Sequence, residues 1–263
     1  MVIIKIGGGK DINLKSIIAD LKSINDKLII VHGANALRDE LADKLKIERK
    51  VITSQSGYTS VFSDEQTIDL MMMSYSGIKN KRIVELCQQN GINAVGLSGL
   101  DGKVIQGKRN SGIRVREAGK TKIVRDFSGK PQDININLIN LLLNNGYTPV
   151  LCVPIIDENN MAINSENDDI VALLHSRLKA DKILQLIEAP GYLKDKSDPN
   201  SLIKKISRDE LEKIENEVDG RMKRKIYALR KLFEFGETTV IISDGRIENP
   251  IQNALKENGT VIK

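Results

Sequence analysis

Apolar positions along this chain switch repeatedly between two periods. Runs of strand length, such as Val2-Ile3-Ile4 with Ile6 and Leu28-Ile29-Ile30-Val31, are apolar almost throughout, as strands buried on both faces of a parallel sheet are. Between them apolar residues recur every three or four positions, the spacing of a helix with one buried face. The first run crosses one Lys5 and enters Gly7-Gly8-Gly9, with a helix predicted from about Asn13; the second, 27–31, enters His32-Gly33-Ala34-Asn35 and a helix to about Lys46. Helices are also predicted from Asp64 to about Ser76, capped by Ser63 or Asp64, from Asn80 to Asn90, and over 135–145, 167–178, 207–217, 221–233 and 250–256. Strands are predicted over 92–97, 147–153, 182–187 and 238–242, and the short alternating segments near Val104, 113–115 and 122–124 are predicted as hairpins. Such alternation predicts an α/β protein whose mostly parallel sheet carries helices on both faces and ligands beyond the carboxyl ends of its strands.

Both glycine turns fall at that edge. Gly7, Gly8 and Gly9 leave main-chain N–H groups open to an anion, and the helix behind them adds the positive end of its dipole. A plain strand-to-helix turn with an exposed lysine has the same sequence, but the strand, glycine turn and helix recur at Gly33. Neither turn is a P-loop, because no Gly-x-x-x-x-Gly-Lys-Ser/Thr string occurs and the lysine precedes the glycines. The segment from Ala162 through Asn164 to Asp168 and Asp169 also leaves a strand and opens a helix. It serves either as ordinary capping by Asn167 or Asp168, or as a source of polar groups for the same edge. After Asp219-Gly220, four of the five residues 221–225 are basic. Cations at a helix start oppose the macrodipole by ~0.3–1 kcal/mol each, so an anion that neutralises them explains the cluster better than a solvated basic face does.

Composition narrows the classes. The 263 residues suffice for one large α/β domain or two lobes without disulfide or metal support. Forty Lys and Arg against 35 Asp and Glu suggest an anionic partner. The lack of Trp and the few other aromatic residues leave little for stacking bases, which argues against nucleic acid. Cys87 and Cys152 stand far from any metal-ligand spacing and are expected as buried free thiols in a reduced, cytoplasmic setting. No apolar run is long enough to cross a bilayer, so no membrane association is expected.

Taken together and in order, the strings Val2-Ile3-Ile4-Lys5-Ile6-Gly7-Gly8, Val31-His32-Gly33, the segment 93–102, Ala162-Ile163-Asn164 through Asp168, and the segment 220–225 resemble the amino-acid kinases, and among them the acetylglutamate kinase group. The segments 96–102 and 220–225 are most similar to the branch that phosphorylates aminoadipate or glutamate held on the small acidic carrier protein LysW. The resemblance covers the whole chain and implies a three-layer α/β/α sandwich in two lobes, 1–170 for the acyl acceptor and 171–263 for ATP. It implies a phosphotransferase with a carboxyl acceptor in lysine or arginine biosynthesis, ATP with Mg2+, and a homodimer or larger homo-oligomer. Lys5 and Lys225 match the lysines that flank the transferring phosphoryl group, and Asp168 the carboxylate that holds them. Gly7, Gly8 and Gly33 match phosphate-binding turns, Asn164 an acceptor-binding residue, and Glu188 and Gly191 the border of the ATP site with Lys225. No separate metal ligands and no general base are implied, so His32 and His175 are expected to be structural.

Two departures bear on the acceptor. Where relatives carry an Arg that grips the acceptor's α-carboxylate, this chain has Val61, and a glycine turn position reads Ala34-Asn35. Either another cation such as Arg38, Arg49 or Lys50 substitutes, or the acceptor lacks that carboxylate, or activity is partly lost and the protein is a nucleotide-binding regulator. A kinase of free N-acetylglutamate is the nearest rival. Residues 102–125 hold eight Lys or Arg, among them Lys103, Lys108, Arg109, Arg114 and Arg116, against the single acid Glu117. They fit a docking face for an acidic carrier, or a sheet edge guarded by charge.

Overall fold

Alternation along the first strand sends Val2, Ile4 and Ile6 to one side and Ile3 with Lys5 to the other, and two hydrophobic clusters form on that division. The computed structural model describes residues 1–54, 59–117, 120–195, 197–218 and 220–263, without the side chains of Thr59, Arg116, Glu117, Lys120, Pro199, Arg221 and Met222. Strand β1 (Val2–Ile6) leads to α1 (Leu14–Asp20), β2 (Leu28–His32) and α2 (Asn35–Leu45). A small hairpin, β3 (Val51–Thr53) and β4 (Thr59–Val61), precedes α3 (Glu65–Met71), a π-helical segment Met72–Lys79 and α4 (Asn80–Gln89). Next come β5 (Ala94–Ser98), β6 (Ile105–Arg109), β7 (Ile113–Glu117), β8 (Lys120–Val124), β9 (Gly129–Ile134), α5 (Ile136–Asn144) and β10 (Thr148–Cys152). The chain continues through β11 (Ile155–Ile156), β12 (Ala162–Ile163), α6 (Asn167–Leu178), β13 (Lys182–Ile187) and β14 (Lys205–Ile206). It ends with α7 (Glu210–Glu217), α8 (Gly220–Glu234), β15 (Thr239–Asp244), α9 (Pro250–Leu255) and β16 (Thr260–Ile262).

The main sheet has the order β14-β16-β15-β13-β1-β2-β10-β5. Its strands from β15 to β5 run parallel, β16 joins antiparallel to β15, and β14 closes that edge parallel to β16. Helices α1, α4 and α9 cover the face that carries Val2, Ile4 and Ile6. The opposite face is covered by α3, α5, α6, α7 and α8, together with a second sheet of order β12-β11-β6-β9. The result is the expected three-layer α/β/α sandwich. Chain order reverses at β1, whose neighbours are β2 on one side and β13 on the other. That reversal opens a crevice at the carboxyl end of the sheet, where the loops after β1, β2 and β13 meet.

Two expectations are revised. The separate helices over 64–76 and 80–90 are a continuous helical run, with Asp64 capping it by accepting from Thr67 N at 2.9 Å. The π-helical segment is the physical reason, since its wider turn carries the helix through Gly77 without a break. The segment 162–169 does not use Asn167 or Asp168 as a cap, because Glu166 occupies the cap position and makes no capping bond. Asp168 is thereby left for another partner.

Buried Asp20 joins the two ends of the chain. From the last turn of α1 its carboxylate accepts from Ile251 N at 2.7 Å, Gln252 N at 2.8 Å and Gln252 Nε2 at 2.7 Å, capping the start of α9. Asp20→Ala orphans these donors and is expected to cost ~1–3 kcal/mol of stability in urea unfolding, with Asp20→Asn losing less. A variant as stable as the parent would show that the cap is dispensable.

Candidate active site

Lys5 reaches the α6 side of the sheet because its neighbours Ile4 and Ile6 take the other face. There its ammonium meets Asp168 Oδ1 at 2.9 Å, with the two side chains 8% and 15% exposed. Burial raises the Asp168 pKa, but the charges of Lys5 and Lys225 outweigh it and hold the carboxyl below its ordinary value. Strand β1, the first turn of α6 and the start of α8 thus bring Lys5, Asp168 and Lys225 together. Beside Asp168, buried Ser165 Oγ and Asn167 Oδ1 have no hydrogen-bond partner among the described residues. Polar atoms so placed suit a ligand that supplies the missing bonds.

The glycine turns lock into each other above this pair. A Cβ on Gly8 would stand 2.6 Å from Asn35 N and 2.7 Å from Ala34 N, and one on Gly33 would stand 2.9 Å from Gly8 N. The Ala36 amide donates to the Gly8 carbonyl at 2.9 Å, and the Gly7 amide to Leu186 O at 2.8 Å. Glu188, after β13, lies over the first turn: its Oε1 accepts from Asp11 N at 2.6 Å, and a Cβ on Gly9 would fall 1.8 Å from its Oε2. A carboxylate of this chain therefore already rests on the turn, which is an observation that the turn accommodates an anion. Gly191 has a different duty. A side chain there would meet Thr260 and Leu202 at 2.7 Å, and the residue borders a small cavity with Lys225 and Tyr192.

His32 supports the second turn from below. Its Nδ1 faces the Gly33 carbonyl at 3.3 Å and its Nε2 faces Asn80 Nδ2 at 3.2 Å, while Asn80 also donates to Val150 O at 3.0 Å. Burial drives its pKa down to about 3, against the bond to Gly33, so the ring is neutral throughout the working pH range. Asn35 projects from the start of α2, where the Tyr75 hydroxyl donates to its Oδ1.

A cleft of about 740 Å³ opens along the start of α6, bounded by Ser165, Asn164, Lys130, Arg114, Asp169 and Arg224 among others, while Lys5, Asp168, Lys225, Gly8 and Gly33 do not line it. Asn164 is clamped: its Nδ2 donates to Ser63 Oγ at 2.9 Å, its N–H to Phe127 O at 2.7 Å, and its carbonyl accepts from Gly129 N at 2.9 Å. Asp126 orders the same corner, accepting from Ser63 N at 3.0 Å and Ser128 N at 3.1 Å. On α6, Glu166 is paired with Arg224 of α8. Burial, Glu166 and Asp168 push the Asp169 carboxyl up to about 6, with Lys130 and Arg224 opposing.

Other residues singled out in the sequence lie elsewhere. Val61 pairs with Val51 in the β3-β4 hairpin and, like Ala34, does not border the cleft. Arg38 is buried and bonded to Asp39 through Nε at 2.9 Å, and Arg49 pairs with Asp43 at 2.9 Å. Neither they nor Lys50 line the cleft. Of the basic group, Arg114 faces the cleft, whereas Arg109 lies 3.9 Å over the Phe127 ring and donates to Asp126 O at 2.8 Å. Lys103 donates to Asn160 at 2.7 Å, Lys108 stands exposed on β6, and the Arg116 side chain lies outside the described residues. Lys130 escaped the sequence reading, and Asp169 entered it only among the polar groups that open α6. The one signal for Lys130 was its place after Ser128-Gly129, and only the fold brings that strand to Asn164.

The model of the amino acid kinase family matches residues 1–244. The chain is 39% identical over 266 residues to the LysW-aminoadipate kinase of Deinococcus radiodurans, covering 100% of this chain and 91% of that one. It is 37% identical over 269 residues to the LysW-aminoadipate kinase of Thermus thermophilus, covering 100% of both. Among solved structures, the carbamate kinase of Giardia lamblia bound to AMP-PNP superposes with a TM-score of 0.69 over 99% of this chain and 97% of that one, at 16% identity. No helix among the described residues is long and apolar enough to cross a membrane.

Asp169 generates a pH signature. Between the ordinary carboxylate range near 4 and about 6, the folded chain keeps a proton that the unfolded chain has lost, so this group makes stability fall as pH rises through that window. Asp169→Asn is expected to be more stable than the parent above pH ~6 and to lose that advantage below pH ~4 in urea unfolding at stepped pH. A difference that stays constant with pH would remove the raised carboxyl from the account.

Proposed function

Because the chain belongs to the amino acid kinase family, we propose that it transfers the γ-phosphoryl group of ATP to the side-chain carboxylate of an aminoadipate or glutamate whose amino group is attached to LysW. The product is an acyl phosphate for lysine or arginine biosynthesis. The observation that carries this reading is the meeting of Lys5, Asp168 and Lys225 beneath two interlocked glycine turns. In this reading residues 1–170 chiefly hold the acceptor and 171–263 the nucleotide.

The chemistry follows from charge. Bringing a carboxylate to a triphosphate sets two anions against each other, and fixed cations with N–H dipoles lower that barrier. Lys5 and Lys225 neutralise charge on the transferring group, and ionised Asp168 holds them in register. The Gly8 and Gly33 turns supply main-chain donors. An oxygen of the acceptor carboxylate bonds to the γ-phosphorus as the bond from γ-phosphorus to the bridging oxygen breaks, and ADP leaves with that electron pair. The attacking carboxylate is already ionised, so no base is required, which accords with a neutral, buried His32. Among the described residues no group of three or more His, Cys, Asp or Glu is placed to hold a metal. Magnesium in this reading is bound to the nucleotide phosphates and offsets their charge.

A carrier-linked acceptor is supported by the cleft. Its volume of about 740 Å³ exceeds the room that a single small amino acid fills, and Arg114 of the basic hairpin forms part of its wall. The relatives named above are LysW-aminoadipate kinases.

The test is hydroxylamine trapping of the acyl phosphate with ATP and Mg2+, offering carrier-linked aminoadipate, carrier-linked glutamate and free N-acetylglutamate. Hydroxamate is expected with the carrier-linked acceptors; trapping with free N-acetylglutamate alone would reassign the enzyme to the unlinked substrate. Lys5→Ala and Lys225→Ala are each expected to lower kcat by roughly 10²–10³. An unchanged kcat for Lys225→Ala would remove that residue from the reacting centre.

A further inference from the structure

The cleft holds more positive charge than the chain itself neutralises. Arg224 is joined to Glu166, whereas Lys130 borders the cleft near Asp169, whose carboxyl feels its charge without an ion pair forming between them. Its position is nonetheless set. Lys130 follows Gly129, whose N–H donates to the Asn164 carbonyl at 2.9 Å, so the strand that carries it is tied to the segment that opens α6. From β9 its ammonium reaches toward α8, 6.0 Å from the centroid of the Tyr227 ring. The aromatic face steadies the cation without consuming its charge.

The surroundings determine what it can bind. Glu166 is matched by Arg224, which leaves Asp169 as the acid of the α6 wall, so an anionic group entering the cleft is repelled there and drawn to the β9 wall. A carboxylate held in the cleft calls for a cation with donors of its own, and Lys130, exposed on β9, offers one. Arg38 and Arg49 are bonded to Asp39 and Asp43 and stand away from the cleft. Arg114 also borders it, but stands on the β7-β8 hairpin, whereas Lys130 belongs to the strand bonded to Asn164.

Resting on the acyl-phosphate kinase reading above, we infer that Lys130 binds the acceptor's second carboxylate, the one that is not phosphorylated. The acceptor then lies with one carboxylate directed to Lys5 and Lys225 and the other held on the β9 wall. Lys130 is a specificity-determining residue that leaves the transfer step itself untouched.

The experiment compares two acceptors on the same carrier: aminoadipate, and 5-aminopentanoate, which has the reacting carboxylate but lacks the second. The parent enzyme is expected to show a KM for the monocarboxylate higher by about 10–100-fold, the range of a hydrogen-bonded charge pair. Lys130→Ala is expected to raise KM for aminoadipate by a similar factor, with kcat within about threefold and the KM for ATP unchanged. It should leave the monocarboxylate unaffected, and Lys130→Arg should restore most of the preference. A Lys130→Ala enzyme that still prefers the dicarboxylate overturns the inference while leaving the kinase reading intact. A parent enzyme that neither phosphorylates nor binds either acceptor, followed by calorimetry with AMP-PNP present, overturns both.

Discussion

A lysine in the middle strand of a fully covered parallel sheet is tolerated only with a partner, and the Lys5–Asp168 pair is what the surrounding structure is arranged to provide. Removing one member of such a pair typically costs ~3–5 kcal/mol, because the other charge remains buried alone. Alternation along β1 fixes the side on which Lys5 emerges, and α6 must then begin at that side with an acid in its first turn. Lys225 enters from α8 and leaves the carboxylate between two cations, which keeps Asp168 ionised in spite of burial. The trio contains one more positive than negative charge, and in the proposed reaction that excess is what the polyphosphate meets.

The loops above the pair leave little freedom. Gly8 and Gly33 approach so closely that a methyl group on either would strike main-chain atoms. Their spacing is held from below by His32 and Asn80, and from the side by Leu186 O and the Ala36 amide. Donors positioned in this way need no rearrangement when charge develops on a transferring group, which is what the proposed transfer requires of them. The π-helical segment belongs to the same arrangement, since it ends at Asn80 and sets where that amide enters the core.

Much of this was legible in the sequence for a simple reason: parallel strands buried on both faces must be apolar throughout, and turns that approach anions must be glycine. The strands 182–187 and 147–153 and the helix 167–178 follow from such local requirements, whereas Lys5, Asp168 and Lys225 are singled out as a group by the family resemblance. What escaped depends on long-range placement. The edge strands Lys205–Ile206 and Thr260–Ile262 are too short to carry a period. Nothing local distinguishes Lys130 from any exposed lysine on a hairpin, because its meaning comes from Gly129 meeting Asn164 and from Tyr227 on a helix far along the chain. The basic stretch 102–125 read as one face, yet the fold divides it, with Arg109 laid over Phe127 and Arg114 turned to the cleft.

A lysine and an arginine at an acceptor site differ in what they can discriminate. A guanidinium fork fixes both the position and the plane of a carboxylate, whereas an ammonium on a flexible four-carbon stem follows its partner. Glutamate and aminoadipate differ by one methylene, a change worth only ~1–3 kcal/mol in a close-fitting pocket and less where the contact can move. With Lys130 as the second anchor, the cleft can require two carboxylates while tolerating a change in the distance between them. Selection by chain length must then come from the rigid side of the cleft, where Asn164 is bonded to Ser63 and through it to Asp126 behind the wall and cannot shift independently.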